Sequence, residues 1–153
     1  MIRVELSKGS FSSFPLAKKT IERAVEIALV STKMRSMMRA ADLRIEICLV
    51  SDKAMHKINL SRRGKNKPTD VLSFPLLMWE EKVKYPEIDL GEIYLAPSYI
   101  KRQSEVKETS LKEHALFLTV HGILHLLGYD HQVAKQRREM EALEDRIIKS
   151  LEA

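Results

Sequence analysis

His114-Ala115-Leu116-Phe117-Leu118-Thr119-Val120-His121-Gly122-Ile123-Leu124-His125-Leu126-Leu127 is apolar on nearly every side of a helical projection. A helix of that kind is buried, and everything else must pack around it. Ser110 and Glu113 have the serine-x-x-glutamate spacing of a capping box at its start, and Gly128 supplies a stop at about Leu127. Histidines inside such a segment need an explanation, because unpaired buried polar groups cost free energy.

His121 and His125 stand four residues apart and share one face, the spacing by which helix-borne histidine pairs reach one ion. Gly128 lets the chain turn back, and Tyr129-Asp130 bring His131 in from outside the helix. Three neutral imidazoles suit zinc or a similar borderline metal and leave a coordination position for water, which points to a metal-dependent hydrolase. A structural metal would ordinarily require a fourth protein ligand, and the nearest candidate, Asp130, is better suited to brace the ligands from behind. His114 lies two turns earlier, about 10 Å along the axis, too far to share the ion. It is expected to be a packed or substrate-side residue.

The spacing from His121 to His131 matches the metzincin protease pattern except at Gly122, where proteases carry the glutamate that serves as base. A carboxylate beside the metal would repel a phosphodiester, whereas glycine would admit one. Peptide hydrolysis is therefore disfavoured. The stretch Arg62-Arg63-Gly64-Lys65-Asn66-Lys67-Pro68 reads as a loop by composition and provides a matching basic element. In it Arg63 can grip phosphate oxygens, and Lys65 and Lys67 add positive field. The same residues would also make an ordinary solvated loop.

Outward from the helix, the chain reads as alternating strands and helices. Met1 to Leu6 is a strand, interrupted by charge too often for a signal peptide. Pro15 can open a helix carrying Ile21, Ala24, Val25, Ala28 and Leu29 down to about Arg39. Residues 43–50 alternate as a strand, and within them Cys48 reads as a small apolar residue. Ser51 caps a short helix bearing Met55 and Ile58, which is expected to give out before Arg62. Residues 71–74 form a strand ended by Pro75, 76–87 a connection, and 88–96 a strand containing Gly91. Pro97 starts a helix to about Ser104. Residues 132–150 form a last helix with Val133, Met140, Leu143, Ile147 and Leu151 on its apolar stripe. The order predicts one α+β metallohydrolase domain over 1–153, with a mixed sheet of about four strands packed by helices and the metal site on a central buried helix.

Composition sets the outer bounds. The 153 residues are 44% hydrophobic and 31% charged, which suits one soluble domain with a core of its own. A net charge of +5 favours anionic partners only weakly. Cys48 is the single cysteine, so an intrachain disulfide is impossible and no disulfide-linked partner is expected. No apolar run is long enough for a membrane span, and a cytoplasmic location is expected.

The run His121-Gly122-Ile123-Leu124-His125-Leu126-Leu127-Gly128-Tyr129-Asp130-His131 resembles the signature of the YbeY family of bacterial endoribonucleases. Arg63-Gly64-Lys65-Asn66-Lys67-Pro68-Thr69-Asp70-Val71-Leu72-Ser73-Phe74-Pro75 and Leu90-Gly91-Glu92-Ile93 are similar to its second and third motifs. The resemblance covers most of the chain. It implies one zinc ion per chain on His121, His125 and His131, with Arg63 in the active-site cleft and single-stranded RNA as substrate. It further implies maturation of the 3′ end of small-subunit ribosomal RNA, ribosome quality control, and the small ribosomal subunit and its assembly factors as partners. Asn66 stands where many members carry aspartate, so no catalytic duty is assigned to it. Arg63 is expected to stabilise charge developing on phosphate, while the nucleophile, water or the RNA 2′-hydroxyl, stays open. Two other readings also stay open: a non-enzymatic RNA-binding assembly factor with a structural metal, and a metallohydrolase of peptides or small molecules.

Overall fold

The computed structural model describes residues 1–9, 11–36, 41–76 and 87–153. Its elements, in chain order, are β1 (Ile2–Ser7), α1 (Lys18–Ser31), β2 (Asp42–Leu49), α2 (Asp52–Arg63), β3 (Val71–Pro75), β4 (Glu87–Leu95), α3 (Pro97–Val106), α4 (Leu111–Leu126) and α5 (Ala134–Glu152). The sheet order is β1-β2-β4-β3, with β1, β2 and β4 parallel and β3 antiparallel to β4 at one edge. This is the mixed four-stranded α+β architecture that the sequence predicts.

Alternation decides which face of the sheet is covered. Leu43, Ile45, Ile47 and Leu49 of β2 are buried, as are Ile88, Leu90, Ile93 and Leu95 of β4. They form one core with Ile21, Val25 and Leu29 of α1, Ala115, Leu118, Ile123 and Leu124 of α4, and Met140 and Ile147 of α5. Between Arg44 and Ile45 the register with β4 shifts, and the extra residue is accommodated at Gly91. A Cβ on Gly91 would stand 2.3 Å from the Phe74 carbonyl oxygen, at a φ of +128°, so only glycine fits there. On the opposite face α2 covers the β3–β4 end, where Met55, Leu72 and Ala96 pack with Phe74 and Tyr94.

Several local expectations are corrected. Pro15 precedes α1, which begins at Lys18 with Ala17 as its cap. The helix stops at Ser31 instead of running to Arg39: the Thr32 hydroxyl donates back to the Ala28 carbonyl at 2.7 Å, and Lys33 reverses the chain at φ +62°. Residues 37–40 and 77–86 lie outside the described residues, and with them the end of the expected α1 and most of the 76–87 connection. Cys48 is the small strand residue that the alternation predicts, half-buried. It sits on the polar face with its Sγ 3.6 Å from a Glu46 carboxylate oxygen, and partial burial beside that carboxylate pushes the thiol up to about 12. Val133 caps α5 in extended conformation and is 58% exposed, so it leaves the apolar stripe. At the start of α4, Ser110 Oγ accepts from the Glu113 amide at 3.0 Å as expected, but the Glu113 carboxylate takes the Thr109 hydroxyl instead of closing the box.

Candidate metal centre

Helix α4 is buried almost all round, as its composition requires. From Glu113 to Leu126 only Glu113, Phe117, His121 and His125 reach solvent, one residue every four, forming a single open stripe. The histidine pair therefore occupies the one side of the central helix left uncovered.

His121 and His125 approach with their Nε2 atoms 3.1 Å apart and their rings nearly perpendicular, centroids 4.6 Å apart. Gly128, at φ +95°, turns the chain after the helix and delivers His131, whose ring centroid lies 5.3 Å from His121 and 5.0 Å from His125. One ligand atom from each of the three falls within 4.8 Å of the others. Nitrogens bound tetrahedrally at the roughly 2.0–2.1 Å typical of zinc lie about 3.4 Å apart. The three imidazoles thus offer the donor set for one such ion, with two of their nitrogens already close to that separation. Burial, reinforced by His121 and His131, holds the His125 imidazole down to about 4, so at neutral pH it is in the form that can bind a metal.

Behind His121 stands a residue that the sequence reading missed. Glu144 of α5 is buried, and its Oε1 lies 2.8 Å from His121 Nδ1. A carboxylate there accepts a hydrogen bond from Nδ1–H, which sets the tautomer and leaves the Nε2 lone pair free to face an ion. The signal was present: Glu144 falls between Met140 and Ile147 on the buried stripe of α5, a charge where the pattern calls for an apolar residue. Asp130, the candidate brace, is half-exposed, and its Oδ1 accepts the His131 backbone N–H at 2.7 Å while standing 4.0 Å from His131 Nδ1. Its contact is chiefly with the turn that carries His131.

His114 takes no part in the cluster. It is buried, hydrogen-bonded through Nε2 to Gln103 of α3 at 2.9 Å, and desolvation lowers its pKa, so it is the packed residue of the two alternatives.

The basic segment is built differently from its expected form. Helix α2 does not end before Arg62; it continues through Arg63 and closes at Gly64, whose amide and that of Lys65 bond the Leu60 and Asn59 carbonyls. Cationic side chains in a last helical turn meet the negative end of the helix dipole, which composition alone did not reveal. Arg62 lies over the Phe74 ring with its guanidinium carbon 4.4 Å from the centroid. Arg63 donates to the Ser73 carbonyl at 3.0 Å. Lys65 and Lys67 are exposed, in a turn pinned by the buried Asn59, whose side chain donates to the Lys67 carbonyl at 2.8 Å. Asn66 Oδ1 meets His56 Nε2 at 2.7 Å.

Gly122 joins the two halves, and for a reason other than the expected one. It is buried, and a Cβ there would meet Ile93 Cδ1 at 3.0 Å, Ile93 Cγ2 at 3.1 Å and Ser73 Oγ at 3.1 Å. The glycine lets α4 lie close on β3 and β4. The space it leaves is filled by the sheet and does not open onto the metal side. Ser73 links the two: its carbonyl anchors Arg63 and its side chain lies against Gly122.

An α+β domain in which two histidines of the central helix converge with a third from the turn after it, one of them backed by a carboxylate, has the form of a metal-site hydrolase. Comparison with known proteins narrows the class. Residues 7–152 match the family described as Endoribonuclease YbeY. Endoribonuclease YbeY of Persephonella marina is 37% identical over 137 residues, covering 89% of this chain and 84% of its own length. The protein of the same name from a Sulfurihydrogenibium species is 39% identical over 123 residues, covering 80% and 79%. A solution structure of a Thermotoga maritima protein superposes with a TM-score of 0.59 at 30% identity, covering 99% of this chain and 89% of that one. The chain belongs to the YbeY family of endoribonucleases.

Proposed function

We propose that this protein is a zinc-dependent endoribonuclease that cuts single-stranded RNA, acting at the 3′ end of small-subunit ribosomal RNA and in ribosome quality control. The observation that carries the reading is the convergence of His121 and His125 Nε2 at 3.1 Å beside His131, with Glu144 fixing the first ligand. One zinc ion per chain on these three histidines would supply a Lewis acid for a phosphoryl oxygen or a more acidic water molecule. Within this reading Asp130 holds the turn that presents His131.

Arg63 is the residue proposed to stabilise charge developing on the phosphate. One of its five N–H donors is spent on the Ser73 carbonyl, which aims the guanidinium and leaves the remaining donors for phosphate oxygens. Lys65 and Lys67 guide the RNA backbone towards it, as exposed cations outside any ion pair among the described residues. The proposed partners are single-stranded RNA and the small ribosomal subunit with its assembly factors, and the proposed location is the cytoplasm. Among the described residues no helix is long and apolar enough to cross a membrane.

The test is incubation of zinc-loaded protein with matched single-stranded and duplex RNA beside a His125→Ala control. Cleavage of the single strand alone, lost in the control, is the expected result. Binding of RNA without cleavage at any metal loading would favour a non-enzymatic assembly factor instead.

A further inference from the structure

The open stripe of α4 does not end at the histidines. One turn beyond His121 it continues to Phe117, a large apolar side chain left 37% exposed. Its ring centroid is 6.0 Å from that of His121, and its other neighbour is the buried His114, parallel within 9° at 6.5 Å. The ring is thus held by a packed histidine on one side and directed along the stripe to the metal-binding pair on the other. Helix α5 faces it across a groove of about 570 Å³, lined by Phe117, Arg138, Glu141, Glu144, Asp145 and Ile148. That volume lies within the range of small-ligand sites.

The charges along the groove select its occupant. Three carboxylates line it, Glu144 bonded to His121 and Asp145 paired with Lys149 at 3.3 Å, against Arg138, so the balance stays negative and disfavours a phosphate, while the cations Arg63, Lys65 and Lys67 lie on α2 and the turn after it. An uncharged planar group suits an exposed aromatic ring with acidic neighbours: it can stack on the ring, and its amino groups can donate to the carboxylates. We infer that Phe117 is the stacking platform of a nucleobase subsite, holding the base of a nucleotide next to the scissile phosphate while the backbone runs along the basic segment. This rests on the nuclease reading above. Phe117 acts here as a positioning residue that fixes which phosphate enters the histidine cluster.

The test pairs substitutions at Phe117 with abasic nucleotides. A single-stranded RNA oligonucleotide is prepared intact and with one abasic residue placed in turn at each position around the cleavage site. In wild-type zinc-loaded protein one of these positions should lower kcat/KM about tenfold, within what a single base–aromatic stack contributes. Phe117→Ala should lose about the same factor on intact RNA and show no further penalty at that position, whereas Phe117→Trp should retain both rate and penalty. Thermal melting checks that the variants fold. Should wild-type protein leave RNA intact, the nuclease reading fails, and the same oligonucleotides then report on the subsite through Kd. In either readout, wild-type behaviour of Phe117→Ala on intact RNA, or an abasic penalty that persists in that variant, would overturn the subsite.

Discussion

The histidine cluster and the basic segment are built by opposite means. His121 and His125 project from a helix buried on every other side, and Glu144 locks one of them from behind. Arg63, Lys65 and Lys67 sit at an exposed helix end and the turn beyond it, pinned by the Ser73 carbonyl and by Asn59. The first region has its geometry imposed by the core, and the second keeps freedom in its side chains. Binding an ion needs rigid donors, while gripping a flexible polymer tolerates adjustment at its contacts. Substitutions in the first should cost metal or fold, and substitutions in the second should cost only rate or affinity.

The strongest test of the rigid region is Gly122→Glu. Its Cβ alone would press on Ile93 and Ser73 at 3.0–3.1 Å, and its carboxylate would enter a buried position without a partner. Overpacking costs typically about 1–3 kcal/mol and an unpaired buried charge several more, so Tm should drop by about 10 °C or more. Gly122→Ala, which adds the Cβ without the charge, should fall between. A Gly122→Glu protein that melts with the wild type would show that the helix–sheet contact is slack, and would return the glycine to the metal-side role suggested by its place in the sequence.

Gly122 also shows where the sequence stopped being legible. It stands between His121 and His125 in the chain, so its purpose reads as part of a metal chemistry; the atoms that need its absent side chain come from β3 and β4, far away in sequence. Periodicity reveals which face of a helix is buried but not what lies against it. The same limit hid Glu144, which meets His121 only once α5 has packed on α4, and extended the predicted loop back over Arg62 and Arg63. Local information was enough elsewhere. The second strand follows from alternation and the others from short apolar runs bounded by turn residues, the caps at Ser51 and Ser110 from their side chains, and the histidine triad from spacing within one helix and one turn.

Glu144→Gln probes the lock itself. The amide keeps the volume and can still contact His121 Nδ1, but it no longer offers a charged acceptor that fixes the tautomer. Losing such a partner typically costs about 10–100-fold in metal affinity. Zinc competition titration should show that loss, against complete loss of the roughly one equivalent of metal in His121→Ala. Unchanged affinity would mean that Glu144 merely fills space in α5.

On the adaptable side, Arg63→Ala should lower cleavage by about a hundredfold, the scale of removing one preorganised donor to a developing oxyanion. Metal content by elemental analysis and Tm should both stay near wild type, since Arg63 contacts a carbonyl on the edge strand and no metal-binding group. Arg63→Lys should recover little of the rate, because an ammonium cannot present two donors in one plane. Loss of zinc in either variant would mean that the two regions are not separable.

The smallest effect is expected at Lys65 and Lys67, and it is best read from salt dependence rather than rate. Both are exposed, and the turn that carries them is held by backbone amides and Asn59, so either side chain can be removed without disturbing it. Each lysine that neutralises an RNA phosphate releases part of a condensed counterion, which contributes about 0.7 to the slope of log Kobs against log salt for a single strand. Lys65→Ala and Lys67→Ala should each flatten that slope by about this amount, and the double variant by about twice as much. Their affinities should converge with that of the wild type as salt rises, while zinc content and Tm do not move. A slope unchanged in the double variant would place the RNA backbone elsewhere on the surface and leave Arg63 as the sole phosphate contact of the segment. A slope that flattens in Lys65→Ala alone would fix the direction in which the strand leaves Arg63.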